Sequence, residues 1–166
     1  MAREREIRVG LIADTHGLLR PQARSFLLDS DLIVHAGDIG GRGLLEQLQS
    51  IAPVSAVRGN NDTEPWAAHL PELQLIDAGG VRVQVIHNLA ELSLDPAAGV
   101  QVIVSGHSHR PLLERRDGVL YVNPGSAGPR RFKLPIAIGE LLIRGGAVSA
   151  RIVNLTDERL LVASTL

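Results

Sequence analysis

Short apolar runs, each ending in a polar cluster, recur along the chain. Ile7–Ala13, Asp31–Ala36 and Val54–Arg58 are rich in β-branched residues and bounded by Gly, Asp or Asn, the pattern of buried strands. Between them, Pro21–Leu28 and Gly43–Ser50 carry apolar residues at helical spacing. Pro21 suits a first helical turn, and Pro53 closes the second helix. Strand, helix, strand, helix, strand predicts a parallel sheet with right-handed crossovers.

The rhythm then changes. Leu73–Asp77 and Val81–His87 flank Gly79-Gly80, whose tolerance of positive φ suits a tight hairpin turn. Val100–Ser105 is another buried run, preceded by a short helix expected around Leu89–Ala97. Val119–Asn123, Pro135–Ile143 and Val148–Leu155 read as further strands, the last two joined at Gly145-Gly146. This order predicts an α/β protein with two sheets packed face to face and helices outside, in a single domain over residues 1–166. The segment Thr156–Leu166 stays open between an edge strand, a contact and a frayed tail.

Composition narrows the partners more than the fold. Of 166 residues, 45% are apolar and 21% charged, with a net charge of −1 and no basic run, so bulk electrostatics does not favour a polyanion. Aromatics make up 2%, too few for the stacking platforms of single-stranded nucleic-acid binders. Cysteine is absent, which excludes disulfides and thiolate metal sites. The first residues, MAREREIRVGLIAD, lack the apolar length of a secretion signal, and no stretch approaches the ~20 apolar residues of a membrane span. A cytoplasmic location is expected.

The polar clusters are Asp14-Thr15-His16, Gly37-Asp38, Gly59-Asn60-Asn61-Asp62, His87-Asn88 and Gly106-His107-Ser108-His109. Each follows the carboxyl end of a predicted strand, the edge where open α/β sheets bind ligands. Asp, His and Asn are ligands for divalent manganese, iron and zinc. Asp14 and His16 are two residues apart, as are His107 and His109, so each pair can address one centre in extended chain. Seven candidate ligands exceed one tetrahedral zinc. They suit two metals about 3.5–4 Å apart with a bridging carboxylate, the arrangement that attacks phosphate esters.

The order D-x-H, GD, GN-x-D, H and GHSH, followed by NPGS at Asn123–Ser126, resembles the calcineurin-like metallophosphoesterases. The GNND, GHSH and NPGS combination in a short chain is most similar to the small prokaryotic YfcE-like phosphodiesterases. The resemblance implies a four-layer αββα sandwich of two mixed β-sheets flanked by helices. It implies that Asp14, His16 and His109 hold a first metal, that Asn60, His87 and His107 hold a second, and that Asp38 bridges them. Manganese is the metal most often implied, with Fe, Ni or Zn in related members. The implied function is hydrolysis of a small phosphodiester by a metal-bridging hydroxide; small members of the family often self-associate, which leaves a homo-oligomer open for this chain. A non-catalytic scaffold, for which a eukaryotic retromer subunit of similar fold is a precedent, and a nuclease are the alternatives.

Two positions depart from the family. Asn61 stands where many members carry a general-acid His, and it cannot exchange a proton near neutral pH. Asn88-Leu89 replaces the usual Gly-His after the ligand His87, and Asn88 is expected to take the left-handed conformation of that glycine. Asn61, Arg110 and Arg130 are the candidate substrate contacts, with solvated arginine as the competing reading for Arg110, Arg130 and Arg131. Asp62 is expected to orient its loop, His35 to be a satisfied buried residue, and His69 to lie at the surface. Thr63–Pro71, with Trp66, reads as a connecting loop. The NPGS turn is expected to buttress the adjoining loop.

Overall fold

The computed structural model describes residues 4–93, 95 and 98–165. The three leading runs form β1 (Ile7–Ile12), β2 (Leu32–His35) and β3 (Val54–Ala56), paired in parallel in the order β1, β2, β3. Helices α1 (Pro21–Leu27) and α2 (Arg42–Gln49) connect them, with Pro21 at the start of α1. The chain later returns through β9 (Ala137–Arg144), β10 (Ala147–Asn154) and β11 (Leu160–Thr165), all antiparallel, with β9 against β1. The resulting six-stranded sheet has the order β11-β10-β9-β1-β2-β3.

The second sheet comprises β4 (Leu73–Ala78), β5 (Val81–Ile86), β6 (Val102–Val104), β7 (Leu112–Arg116) and β8 (Val119–Asn123). Its order is β4-β5-β6-β8-β7, with β5, β6 and β8 parallel and antiparallel strands at both edges. Both sheets are therefore mixed.

Alternation divides each strand between two interiors. Val9, Leu11 and Ala13 meet Val83, Val85, Val104 and Val122 between the sheets, while Ile12 and Ile33 face Ala23, Leu27, Leu44 and Leu48 under the helices. Covering both faces explains why these strands read as continuous apolar runs. Full burial of each Val, Leu or Ile contributes about 1.5–3 kcal/mol, so the sheet centre is a firm base for the loops at its edge.

Three segments differ from the sequence reading or complete it. β7 was not anticipated, although Asp117-Gly118 is a hairpin signal; both residues have positive φ, 50° and 78°, as a two-residue turn requires. Within the open C-terminal segment, Leu160–Thr165 forms the edge strand β11 on β10, and Leu166 lies outside the described residues. The helix expected around Leu89–Ala97 is a single 3-10 turn, Leu89–Glu91, ended by Leu92 in extended conformation; Leu94, Pro96 and Ala97 lie outside the described residues. Leu89, Leu92 and Val100 still cover Ile86, Ile103 and Tyr121, so turn and loop form the outer layer of the second sheet. Among the described residues, no helix is long and apolar enough to cross a membrane.

Candidate metal centre

The loops leaving β1 and β2 are laced together by their backbones. Asp14 N–H donates to Gly37 O at 3.0 Å, His16 N–H to Asp38 O at 3.0 Å, and Gly17 N–H to Ile39 O at 2.8 Å. The loop after β6 joins them where His107 N–H donates to Asp14 Oδ2 at 3.1 Å. Turning the chain this sharply places Asp14, His16, Asp38, His107 and His109 at φ of 53°, 46°, 54°, 70° and 59°. Non-glycine residues rarely occupy this left-handed region, and each instance costs on the order of 1 kcal/mol or more.

The side chains so aimed converge. Asp14, His16 and His109 form one group whose ligand atoms all lie within 4.8 Å of one another, and Asp14, Asp38 and His87 form a second. His109 Nε2 lies 3.5 Å from Asp14 Oδ1, while His87 Nε2 and His16 Nε2 lie 3.5 Å and 3.8 Å from Asp38 Oδ2. Asn60 Oδ1 sits 2.9 Å from His87 Nε2 and 3.1 Å from His107 Nδ1. All seven sequence-derived candidates thus join one cluster. His87 Nδ1–H donates to Ala36 O at 2.7 Å, which aims Nε2 at the cluster. His16 Nε2 is buried without a hydrogen-bond partner. An orphaned ring nitrogen beside two carboxylates fits a divalent cation.

Burial and mutual charge polarise the group. Burial raises the Asp14 carboxyl to about 7, with Asp38 adding to the rise and His87 opposing it. For Asp38, burial is outweighed by hydrogen bonds from His87 and from the backbone and side chain of Asn61, which hold it well below the usual carboxylate range. Burial would lower His87, but its bonds to Asp38 and Ala36 raise it above the ordinary imidazole value. Burial, Arg131 and His16 together depress His109 to about 4. One carboxylate is therefore held ionised while its neighbour retains a proton near neutrality.

Surrounding residues fix these positions. His35 is fully buried; its Nδ1 accepts from Gly37 N–H at 3.1 Å, so Nε2 carries the proton toward Thr15 Oγ1 at 2.9 Å, which donates to Ile39 O. Burial keeps this ring neutral, with its pKa lowered to about 3. Asp62 accepts from the N–H groups of Ile39, Gly40 and Gly59, orienting its loop. In the NPGS turn, Asn123 donates to Gly106 O and Ser108 Oγ, and Ser126 donates to Asp14 O. A Cβ on Gly59 would fall on the backbone nitrogen and carboxylate of Asp38, so close approach demands glycine there.

The candidate substrate contacts fare differently. Asn61 donates through its backbone and its amide to Asp38 at 2.9 Å and 2.8 Å. Arg110 is exposed beside His109. Arg130 turns its Nε toward Leu134 O at 3.3 Å, whereas the charge of Arg131 acts on Asp14 and His109. Asn88 does not take the left-handed conformation expected of it: φ is −105°, and Oδ1 caps the 3-10 turn by accepting Ala90 N–H. No glycine geometry is needed at that position. The sequence reading also missed the Thr15–His35 pair, since a lone His in an apolar strand gives no sign of its partner.

A model of the calcineurin-like phosphoesterase superfamily domain matches residues 7–143. The chain belongs to that superfamily. It is 32% identical over 161 residues to a probable metallophosphoesterase of Methanothermobacter thermautotrophicus, covering 88% of this chain and 91% of that protein. A phosphodiesterase of Methanocaldococcus jannaschii is 25% identical over 139 residues, covering 72% and 83%. Among solved structures, vacuolar protein sorting 29 of Cryptosporidium parvum superposes with a TM-score of 0.81 at 20% identity, covering 97% and 98% of the two chains. This last likeness is one of fold.

Proposed function

We propose that the protein is a phosphodiesterase of the cytoplasm that works with two divalent cations, manganese in preference to Fe, Ni or Zn. The observation that carries this reading is the left-handed backbone at five of the seven cluster residues. Strain of this kind persists only where the surrounding fold imposes it, and here it aims acid and imidazole side chains at one point. Asp14, His16 and His109 would hold one cation, Asn60, His87 and His107 the other, and Asp38 would stand between them. When bound, the cations supply Lewis-acid polarisation of the phosphoryl oxygens and a nucleophile active near neutral pH.

The residues themselves hold, orient and deprotonate. Asp14 releases its proton as the centre loads, and Asn61 keeps the Asp38 carboxylate in place. Asn61 offers an amide where a general acid would be needed for a poor leaving group, which favours an acidic leaving alcohol. Arg110, Arg130 and Arg131 are the cations available to a phosphate oxygen. The phosphodiesterase relative supports the choice of a diester. Low aromatic content and near-neutral charge argue against nucleic acid.

The test is hydrolysis of an aryl phosphodiester with added Mn²⁺. Chelator abolishes it, and Asp38→Asn lowers kcat by at least about 100-fold, because groups that merely support ligands already account for 10–100-fold. Full activity in the variant overturns the assignment. Metal content well below one ion per chain, not restored by Mn²⁺, would favour a scaffold instead.

A further inference from the structure

The cluster does not end in a closed cavity. A groove of about 540 Å³ opens from Asn60, His87 and His107 and runs between the segment after β3 and the 3-10 turn after β5. That volume falls in the range of small-molecule sites and leaves room beyond a phosphoryl group. Pro65, Ala68 and Ile86 give its wall an apolar strip. Its ionic lining is one-sided. Asp62, Glu64, Glu72 and Glu91 contribute carboxylates, and the one Lys or Arg among the lining residues is Arg58.

Arg58 is already engaged, with Nη2 at 2.6 Å from Glu72 Oε1. Asp62 is turned into the backbone, accepting three N–H groups. Glu64 and Glu91 have no ion-pair partner among the described residues and are exposed. Cations held at the cluster would be answered by the oxygens of a bound phosphate, which leaves the Glu64 and Glu91 carboxylates without a counter-charge in the groove.

We propose that this groove seats one of the two alcohol groups of the phosphodiester and selects an ammonium-bearing alcohol over an anionic one, through Glu64 and Glu91. The inference rests on the phosphodiesterase reading above. It identifies the substrate class as phosphodiesters of small amino alcohols, whose alkyl stem meets the apolar strip while the cation reaches the carboxylates.

Three p-nitrophenyl phosphodiesters with a common leaving group test it, carrying choline, its uncharged isostere 3,3-dimethylbutanol, or 4-hydroxybutyrate. KM should rise in that order while kcat stays similar. An exposed charge pair contributes up to about 1 kcal/mol, so each carboxylate should give about 2–5-fold in KM. The double variant Glu64→Gln, Glu91→Gln should narrow the choline-to-hydroxybutyrate ratio by about tenfold, and added salt should narrow it in the wild type. Calorimetric affinities of choline phosphate and dimethylbutyl phosphate for the Mn²⁺-loaded protein read the same selectivity without turnover. Equal KM values and equal affinities, or an unchanged ratio in the double variant, overturn the inference. Failure to hydrolyse even the uncharged diester, with the affinity difference intact, overturns the phosphodiesterase reading alone.

Discussion

The two walls of the candidate centre are built by different means. One consists of the loops after β1, β2 and β6, whose backbones bond to each other or to Asp14 and whose donor residues Asp14, His16, Asp38, His107 and His109 all have positive φ. The other consists of the loops after β3 and β5, where Asn60 and His87 have ordinary backbone and are held by side-chain contacts. The first wall is rigid because every turn in it is over-determined. The second borders the groove and carries the residues that differ from the family pattern, Asn61 and Asn88. Both walls carry cluster residues, and His107 of the first lines the groove together with Asn60 and His87 of the second. The difference between the walls therefore lies in how the backbone holds those residues.

The walls meet where Gly59 passes Asp38 and Gly37 passes His87. Gly59→Ala breaks the comparison at that seam. Its φ is not left-handed, so the cost is steric alone: the new Cβ would collide with backbone as well as with the Asp38 carboxylate. Overpacking against backbone costs about 3 kcal/mol, a fall of roughly 6–12 °C in Tm for a chain of this size. Thermal melts with and without Mn²⁺ should show the drop in both and a smaller metal-induced rise in the variant. A Tm unchanged within about 2 °C would mean the walls are not in close contact.

How legible each wall was in the sequence follows from the same contrast. The glycines before Asp38, Asn60 and His107 and the paired Asp14-x-His16 and His107-x-His109 spacings are local signals, so the cluster is legible in the chain alone. Strands buried on both faces are equally plain, because apolar runs such as Ile7–Ile12 need no partner to be recognised. β7 escaped because its residues, Leu-Leu-Glu-Arg-Arg, lie at a half-exposed sheet edge and show no alternation. The groove was invisible for another reason. Glu64 and Glu72 follow β3 while Glu91 follows β5, and only the tertiary fold brings the two segments to one opening. Arg131 rather than Arg130 acts on Asp14 and His109, a distinction one position wide that depends on how the loop turns.

Acidification sharpens the contrast between the carboxylates. Asp14, raised to about 7 chiefly by burial, carries a proton in the metal-free folded protein below that pH; Asp38 is ionised throughout. A cation must displace the Asp14 proton, and also that of His87, whose pKa is raised. Each proton released adds up to one log unit of affinity per pH unit. Mn²⁺ affinity should therefore climb by up to about 10-fold per unit below pH 7 from the Asp14 proton alone, and more steeply wherever His87 is also protonated. Calorimetry in buffers of different ionisation enthalpy counts the protons directly. In the metal-free protein the signs oppose each other. The raised Asp14 adds stability that is lost as pH rises from about 4 to 7. The depressed His35 and His109 add stability that is lost as pH falls below about 6.5. Metal affinity is therefore the cleaner measurement, and a pH-independent affinity would contradict the assignment of Asp14.

Glycine substitution separates the walls at the smallest scale. At His16, with φ of 46°, glycine removes a conformational penalty on the order of 1 kcal/mol and leaves no hydrogen bond of the ring's Nε2 unmade. At Asn60, where φ is not positive, glycine only adds unfolded-state freedom and deletes the Oδ1 contacts to His87 and His107. His16→Gly should therefore raise the metal-free Tm by about 1–3 °C, and Asn60→Gly should lower it by a similar amount. Both should weaken Mn²⁺ binding, since both remove a proposed ligand. Opposite stability shifts with the same loss of binding would show that the strain at His16 serves the site rather than the fold. If both variants lose stability alike, the left-handed turns are part of what holds the two sheets together, and the distinction between the walls fails.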